Sequence, residues 1–395
     1  MGDNFFLFLI VLTIFAIFLR EDSILTLAYF LVGVYALSRW WSRRALQAVE
    51  YKRAFQQRAF LYEKVPVQLE LVNKRWLPVP WLQLTENLPL ELIVPSTYRS
   101  VTAIGPYARR QFEYLLHADR RGYYSIGPLH LRSGDLIGLT EELNSEGGVD
   151  HLIVYPKIIP FTEVKLPSRS PLGTLRHTQP IFEDPSRVHG KRDYTAGDSL
   201  RRVDWKATAS TGRLQVKQFE PSIALETALF LNLNTDEYTQ RTRLDATELA
   251  IVIAASLANW IVGKRQSVGL TVNGVDPIGA EGRAQALPPR KGRAHLTRIL
   301  DVLARVRSTP TTPFAPLFQS EAARLPWGTT VILITGAIDE ALFNEIFRAR
   351  RAGLNIVLIL CGTVPNLAEM RQRAEHFGIP VQHFMRERDL DVWRG

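Results

Sequence analysis

The chain has 395 residues, with 48 Lys and Arg against 39 Asp and Glu, a formal net charge of +9 and an isoelectric point near 9.7. This length accommodates two domains with their own cores plus an anchor, and the basic excess draws the chain toward phospholipid, nucleic acid or an acidic protein. The single cysteine, Cys361, excludes an intramolecular disulfide and any cysteine-based metal cluster; at the end of the apolar run from Ile356 to Leu360 it reads as a small buried thiol in a core strand.

Residues 1–45 predict a membrane hairpin. Phe5 to Leu19 is apolar apart from Thr13, Arg20-Glu21-Asp22 interrupts, and Ile24 to Leu37 is apolar again, giving helices over about 5–19 and 24–38. Each run is shorter than the ~20 residues of a usual span, so the spans recruit flanking residues, or the hairpin only embeds. No basic region precedes Phe5 and no small-residue cleavage site follows, which argues against a signal peptide. Arg39, Arg43 and Arg44 come directly after the second helix, with Trp40 and Trp41 at interfacial depth, whereas the turn is acidic on balance. The positive-inside rule then places everything after residue 40 in the cytoplasm of a two-span cell-membrane protein. Arginines on the cytoplasmic side of an anchor explain the net charge better than nucleic acid does. Membrane lipid is therefore an expected partner and no specific nucleic acid is.

Residues 50–157 read as a small β-sandwich. Val65, Val67, Leu69 and Leu71 alternate with polar positions, and Phe112–Leu116 and Leu129–Arg132 are further strands between turns at Gly105-Pro106 and Gly127-Pro128. Arg120-Arg121-Gly122-Tyr123-Tyr124 interleaves basic and aromatic residues as a nucleic-acid surface does, but reads better as a strand edge with snorkelling arginines beside the anchor. Residues 158–220 hold a linker, Phe161 to Pro185, and then a dense polar segment, VHGKRDYTAGDSLRRVDWKATASTGRLQVKQFE, from Val188 to Glu220. Gly197-Asp198 and Thr211-Gly212-Arg213 mark turns, and Leu214–Phe219 alternates like a half-buried strand. Two readings stay open here: Asp193, Asp198 and Asp204 pair with neighbouring arginines to stitch two domains, or the basic excess faces outward to receive an acidic partner.

Residues 221–395 alternate strands and helices. Strands are expected at Thr227–Leu233, Ser267–Val272, Thr330–Thr335 and Asn355–Cys361, with helices at Leu244–Val262, Ala294–Val306, Ile338–Arg351 and Leu367–Phe377. That order implies a mostly parallel sheet with helices on both faces, whose ligands bind at the carboxyl ends of the strands. Pro288–Arg293 reads as a solvated basic turn ahead of a helix.

The polar segment resembles the signature of the domain-of-unknown-function 58 family. Its Gly-x-Arg-x-Tyr-x-x-Gly-Asp pattern is present as Gly190, Arg192, Tyr194, Gly197 and Asp198, and its Arg-x-Asp-Trp-Lys core as Arg202, Asp204, Trp205 and Lys206. Arg201 and Lys217 complete the candidate binding set. Gly127-Pro128-Leu129, the run from Ser133 to Leu139 and the Tyr155-Pro156 strand agree with further family patterns. The resemblance implies a von Willebrand factor A-like domain, whose adhesion site holds Mg2+ through an Asp-x-Ser-x-Ser loop, a threonine and a later aspartate. Here the corresponding positions are Asn232, Asn234 and Asp236, with Thr311 or Thr312, and Thr335-Gly336 where a Thr-Asp pair is expected. Mg2+ favours carboxylate and hydroxyl oxygen, so this degenerate site is expected to hold no cofactor.

No phosphate-binding Gly-x-x-x-x-Gly-Lys run, paired metal-ligating histidines or Gly-x-Ser-x-Gly elbow is present in the sequence, and no catalytic residue is assigned. The expected fold is α/β plus all-β: an N-terminal transmembrane helical hairpin, a small β-sandwich, and a von Willebrand A-like, Rossmann-type three-layer α/β domain. The resemblance implies a non-enzymatic scaffold or adaptor partnered by a MoxR-type AAA+ ATPase and a transglutaminase-like membrane protein. The alternatives are a metal-dependent or acid/base enzyme at the junction, using His177, Asp184, His189, Asp193 and Asp198, and a basic surface for nucleic acid or anionic lipid.

Overall fold

The computed structural model describes residues 2–19, 22–93, 96–134, 143–162, 164, 183–195, 198–221, 226–279, 282, 284 and 286–394, with the backbone alone at 2–6, 16, 19, 143–145, 183–189, 201 and 218–221. Two units result: Met1–Lys157 with Leu300–Val306, and Ile158–Ile299 with Arg307–Gly395.

The first unit begins with helices α1 (Gly2–Leu19) and α2 (Asp22–Leu46), which lie against each other with Leu9 and Ala28 buried. Around that contact Leu7, Phe8, Val11, Ile14, Leu27 and Phe30 are exposed, an apolar surface that water does not favour. Helix α2 runs well past residue 38. Its last turns look polar in sequence, but Ser42, Ala45 and Leu46 are buried, the Trp41 Nε1–H donates to the Pro78 carbonyl at 3.1 Å, and the Trp41 ring meets Trp76 edge-on at 6.2 Å. Tertiary packing, to which hydropathy is blind, holds this end helical. Trp41 is thus tied to the β-rich part of the unit, while Trp40 stays exposed under the Arg44 guanidinium.

Ten strands follow: β1 (Val49–Ala54), β2 (Arg58–Phe60), β3 (Lys64–Asn73), β4 (Val79–Asn87), β5 (Thr97–Ile104), β6 (Arg109–His117), β7 (Gly122–Ile126), β8 (Leu129–Ser133), β9 (Leu143–Glu146) and β10 (Asp150–Tyr155). They form three small sheets, ordered β1-β3-β6, β2-β10-β7 and β5-β4-β8-β9. The alternation read in β3 places Val65, Val67, Leu69 and Leu71 on one face. Leu69 and Leu71 join Leu82, Leu84, Leu131 and the end of α2 in one core cluster, and Val65 and Val67 join Leu116, Ile126 and Val154 in another. Strand β1 pairs only Gln68–Asn73 of β3, leaving Pro66 at an edge, where a missing donor is tolerated.

A charged cluster lies in this unit that the hydrophobic pattern does not reveal. Arg53 Nε–H donates to Glu86 Oε1 at 2.7 Å, the Tyr114 hydroxyl donates to Glu86 Oε2 at 2.6 Å, and Arg53 also pairs with Asp150. The Arg53 and Glu86 side chains are 1% and 0% exposed. Also within the unit, Arg121 donates to the carbonyls of Leu303 and Val306 at 2.9 and 2.8 Å. It therefore holds backbone oxygens and is not a snorkelling arginine.

The second unit opens with Ile158–Thr162, which runs into the expected linker at Phe161. Here the Ile159 N–H donates to Ser256 Oγ at 2.9 Å and Phe161 packs edge-on against Trp393 at 5.0 Å, so these residues are core. Most of the expected linker lies outside the described residues. A two-stranded antiparallel ribbon, β11 (Glu183–Asp193) with β12 (Gln215–Pro221), encloses the short helix α3 (Trp205–Thr211).

Then come β13 (Glu226–Leu231), α4 (Arg243–Gly263), β14 (Ser267–Val272), β15 (Leu287–Arg290), α5 (Arg293–Arg305), α6 (Phe314–Ala322), β16 (Thr330–Thr335), α7 (Glu340–Arg351), β17 (Asn355–Cys361), α8 (Leu367–His376) and β18 (Val381–Phe384). The six strands form one sheet ordered β15-β14-β13-β16-β17-β18, parallel except for β15. This is a doubly wound order with its first strand in the middle. Alternate residues face opposite layers: Phe230, Leu333 and Leu358 pack with Phe314, Phe318 and Ile346 of α6 and α7, whereas α4 touches β13, β14, β16 and β17.

Among the described residues, α2 and α4 are long and apolar enough to cross a membrane, but 72% of the apolar stretch of α4 is buried against 6% of that of α2. Helix α4 is apolar all round because protein surrounds it. Cys361 is buried at the end of β17, as expected. The expected turn Pro288–Arg293 is in part the edge strand β15, where two prolines are tolerated because only one side is paired.

Candidate functional site

The polar segment folds around its own carboxylates. Arg192 donates Nη1–H to Asp198 Oδ2 at 2.8 Å and Nη2–H to Asp198 Oδ1 at 2.7 Å, a bidentate pair. Both the backbone N–H and the hydroxyl of Thr195 donate to Asp198 Oδ2 at 2.9 Å. The Arg192 bonds first, and then the Thr195 N–H, hold the Asp198 carboxyl well below the usual carboxylate range. These bonds hold the Asp198 carboxylate as an acceptor that closes the turn.

Asp204 does a different structural task. It caps α3, its Oδ1 accepting from the Ala207 N–H at 3.1 Å, while Lys191 Nζ sits 2.9 Å from Oδ2. Lys191 and the Ala207 N–H, with a smaller contribution from Lys217, lower its pKa. Asp193 accepts from the Gln215 side chain, with Arg213 4.0 Å away. Gly190 and Lys217 lie in the ribbon, opposite Gln218 and Lys191 respectively, and the Tyr194 N–H donates to the Leu214 carbonyl at 2.8 Å. Every partner named here for the three aspartates lies inside the segment, and Asp204 pairs with a lysine where the sequence pattern predicts an arginine.

With the carboxylates engaged, the remaining surface is basic and apolar. Trp205 is 68% exposed, Lys206, Arg202 and Arg213 are exposed, and so are Leu200 and Leu214. Gly197 and the side chain of Arg201 lie outside the described residues, as do His177 and the side chains of Asp184 and His189. Residues 135–139 of the family pattern also lie outside them.

The second candidate lies where β13 and β16 end, at the point where the sheet order reverses. Asn232 Nδ2–H donates to Thr335 Oγ1 at 2.9 Å and to Glu237 Oε2 at 2.7 Å, and its Oδ1 accepts from the Asn234 N–H at 3.0 Å and Asn273 Nδ2–H at 2.9 Å. Asn234 Oδ1 accepts from the N–H groups of Asp236 and Thr311, and its Nδ2–H donates to Glu237 Oε1 at 3.1 Å. Glu237 also accepts from the Phe314 N–H at 3.0 Å. Glu237 and Asn273 escaped the sequence reading because the family spacing draws attention to other positions.

These residues do not fit Mg2+. The amide oxygens already accept two N–H bonds each, the Glu237 carboxylate is shared between two amides, and Asp236 and Thr312 are exposed at the rim, Thr312 joining through its carbonyl alone. Gly336 stands where an aspartate ligand is expected, and a Cβ there would lie 2.0 Å from the Tyr238 ring. That ring is fixed, since the Tyr238 hydroxyl donates to the Asn232 carbonyl at 2.6 Å. Among the described residues no group of three His, Cys, Asp or Glu has the geometry of a metal site.

Residues 190–358 match the family described as "Protein of unknown function DUF58". The match begins at Gly190 of the polar segment and ends within β17. "Uncharacterized protein YeaD" of Bacillus subtilis is 24% identical over 71% of this chain and 68% of its own length. "Uncharacterized protein Rv1480" of Mycobacterium tuberculosis is 28% identical over 30% of this chain, which spans only 36% of that relative. Among solved structures, proximal thread matrix protein 1 of the mussel byssus is 12% identical over 43% of this chain and 46% of its own, with a TM-score of 0.32.

Proposed function

We propose that the chain is a membrane-anchored member of the DUF58 family that serves as a docking scaffold, with α1 and α2 forming a membrane hairpin and the bulk of the chain on the cytoplasmic side. The single observation that carries the docking role is the exposure of Trp205 beside Lys206, on a segment whose aspartates are all engaged internally. An exposed tryptophan among basic side chains is the usual composition of an interface anchor. The six-stranded sheet, with an antiparallel edge strand and a polar loop after its central strand, supports a von Willebrand A-like domain.

The family resemblance points to a MoxR-type AAA+ ATPase as the docked partner, with a transglutaminase-like membrane protein in the same assembly; this step rests on analogy. The test is affinity capture of the detergent-solubilised chain against Trp205→Ala, with thermal melting of both. A AAA+ ATPase held by the wild type and lost from an equally stable variant supports the scaffold. An ATPase retained equally by both, or by neither, removes it.

A further inference from the structure

The length of α2 decides where the first unit meets the bilayer. Its apolar stretch from Ile24 to Leu37 is about 21 Å long at 1.5 Å per residue, well short of the roughly 30 Å hydrocarbon core. Asp22 to Trp41 covers about 30 Å, so a helix that spans the core places the boundary at the level of Trp41. There Trp41 is no longer free, because its ring lies against Trp76 and its Nε1–H is bonded to Pro78. A span as short as this one therefore draws the loop carrying Trp76 down to the head groups.

That loop is built for display. Asn73 is buried and its Nδ2–H donates to the carbonyls of Leu77 at 2.7 Å and Gly105 at 3.0 Å, while its Oδ1 accepts from the Arg75 N–H at 3.0 Å. One side chain thus clamps two loops together, and the Tyr107 N–H donates to the Arg75 carbonyl at 3.1 Å. Lys74, Arg75, Trp76 and Tyr107 are all exposed on this clamp, and Arg43 and Arg44 are exposed on the adjoining end of α2. Glu50 faces Lys74, but both side chains are about 60% exposed, and such a pair exchanges readily with another anion.

We infer that these six residues form a collar that rests on the bilayer and binds anionic phospholipid head groups. Trp and Tyr favour the depth where apolar chains give way to head groups, and clustered Lys and Arg beside a span bind anionic lipid. The collar rests on the proposed membrane anchor. It uses none of the residues assigned to protein docking.

The experiment places the full chain in nanodiscs of phosphatidylcholine alone or mixed with phosphatidylglycerol, and measures amide exchange at residues 74–76, 105, 107 and 108. Several-fold slower exchange in the anionic discs is expected, and that difference should vanish in Lys74→Glu/Arg75→Glu while the melting temperature stays unchanged. If the double variant unfolds, Arg75→Gln carries the same comparison with a reduced difference. Equal exchange in the two disc types, or slowing that survives charge reversal, overturns the collar. So does slowing produced by polyglutamate and not by anionic discs, which would assign the surface to an acidic protein. An alkaline carbonate wash of proteoliposomes separates the two ideas: release of the chain breaks the anchor and the collar with it, whereas a retained chain that ignores lipid charge breaks the collar alone.

Discussion

The first unit buries an arginine–carboxylate cluster, and the second sets one close to solvent. Arg53 and Glu86 are sealed off from water, whereas the Arg192 and Asp198 side chains are 46% and 15% exposed. The ion-pair chemistry is alike and its consequence differs. Removing two charges from water is costly, and the added bonds from Tyr114 to Glu86 and from Arg53 to Asp150 offset part of that cost. Near solvent, a pair gains little stability and instead fixes the path of a loop. The buried cluster therefore belongs to the fold, and the exposed one fixes the turn from Arg192 to Asp198 in the candidate docking segment.

The largest effect is expected from Glu86→Ala. It strands the Arg53 guanidinium in the core and leaves the Tyr114 hydroxyl without its acceptor, at a cost of about 3–5 kcal/mol. Urea denaturation of the chain in detergent measures it. A loss under about 1 kcal/mol, the range of exposed pairs, would show that Arg53 reaches water and would erase the contrast.

An intermediate effect is expected at the carboxyl end of the sheet, where the buried polar groups are mostly neutral. Gly336→Ala drives a Cβ into the Tyr238 ring, and overpacking of this kind costs about 1–3 kcal/mol. The displaced ring also loosens Asn232 through the Tyr238 hydroxyl. Thermal melting with and without Mg2+ reads both points: a lower transition in the variant, and no shift with Mg2+ in the wild type. A rise with Mg2+ would show that the amide network opens to admit a cation.

Much of this was legible in the sequence because it depended on local pattern. Apolar runs of strand length between helical periods located β13, β14, β16 and β17 and helices α4, α5, α7 and α8 to within a few residues, but not the short helix α6. Edge strands β15 and β18 were not legible, since Pro288-Pro289 opposes the usual strand signal and β18 is short. The docked end of α2 was hidden for a related reason: Arg39, Trp40 and Arg43 look interfacial, and only the buried Ser42, Ala45 and Leu46 show the face that packs. At the candidate site, the sequence singled out Arg192, Asp198 and Asp204 but left open what they bind, because pairing across a turn depends on backbone geometry. Asn273 was invisible, since nothing in its local sequence marks a residue recruited by a strand end some 40 positions away, and Glu237, only five positions from Asn232, was passed over because it falls outside the family spacing.

The smallest effect, and the finest probe of the contrast, is the acid response of Asp198. Its folded-state pKa lies below the ordinary value of about 3.9, first through the Arg192 guanidinium and then through the Thr195 N–H. Below that ordinary value the unfolded chain takes up a proton that the folded loop refuses. The contribution is therefore fully present above the ordinary carboxylate range and is lost only as pH falls through the lower folded value. Amide exchange at Thr195, whose N–H donates to this carboxylate, should stay protected through pH 4 relative to an unfolded peptide. Asp198→Asn should lose that protection at every pH with no measurable change in the main melting transition, because an exposed pair adds little to global stability. Protection that titrates away at the ordinary carboxylate pKa would mean that Arg192 does not hold Asp198 in solution, and the contrast with the buried Arg53–Glu86 pair would rest on the buried side alone.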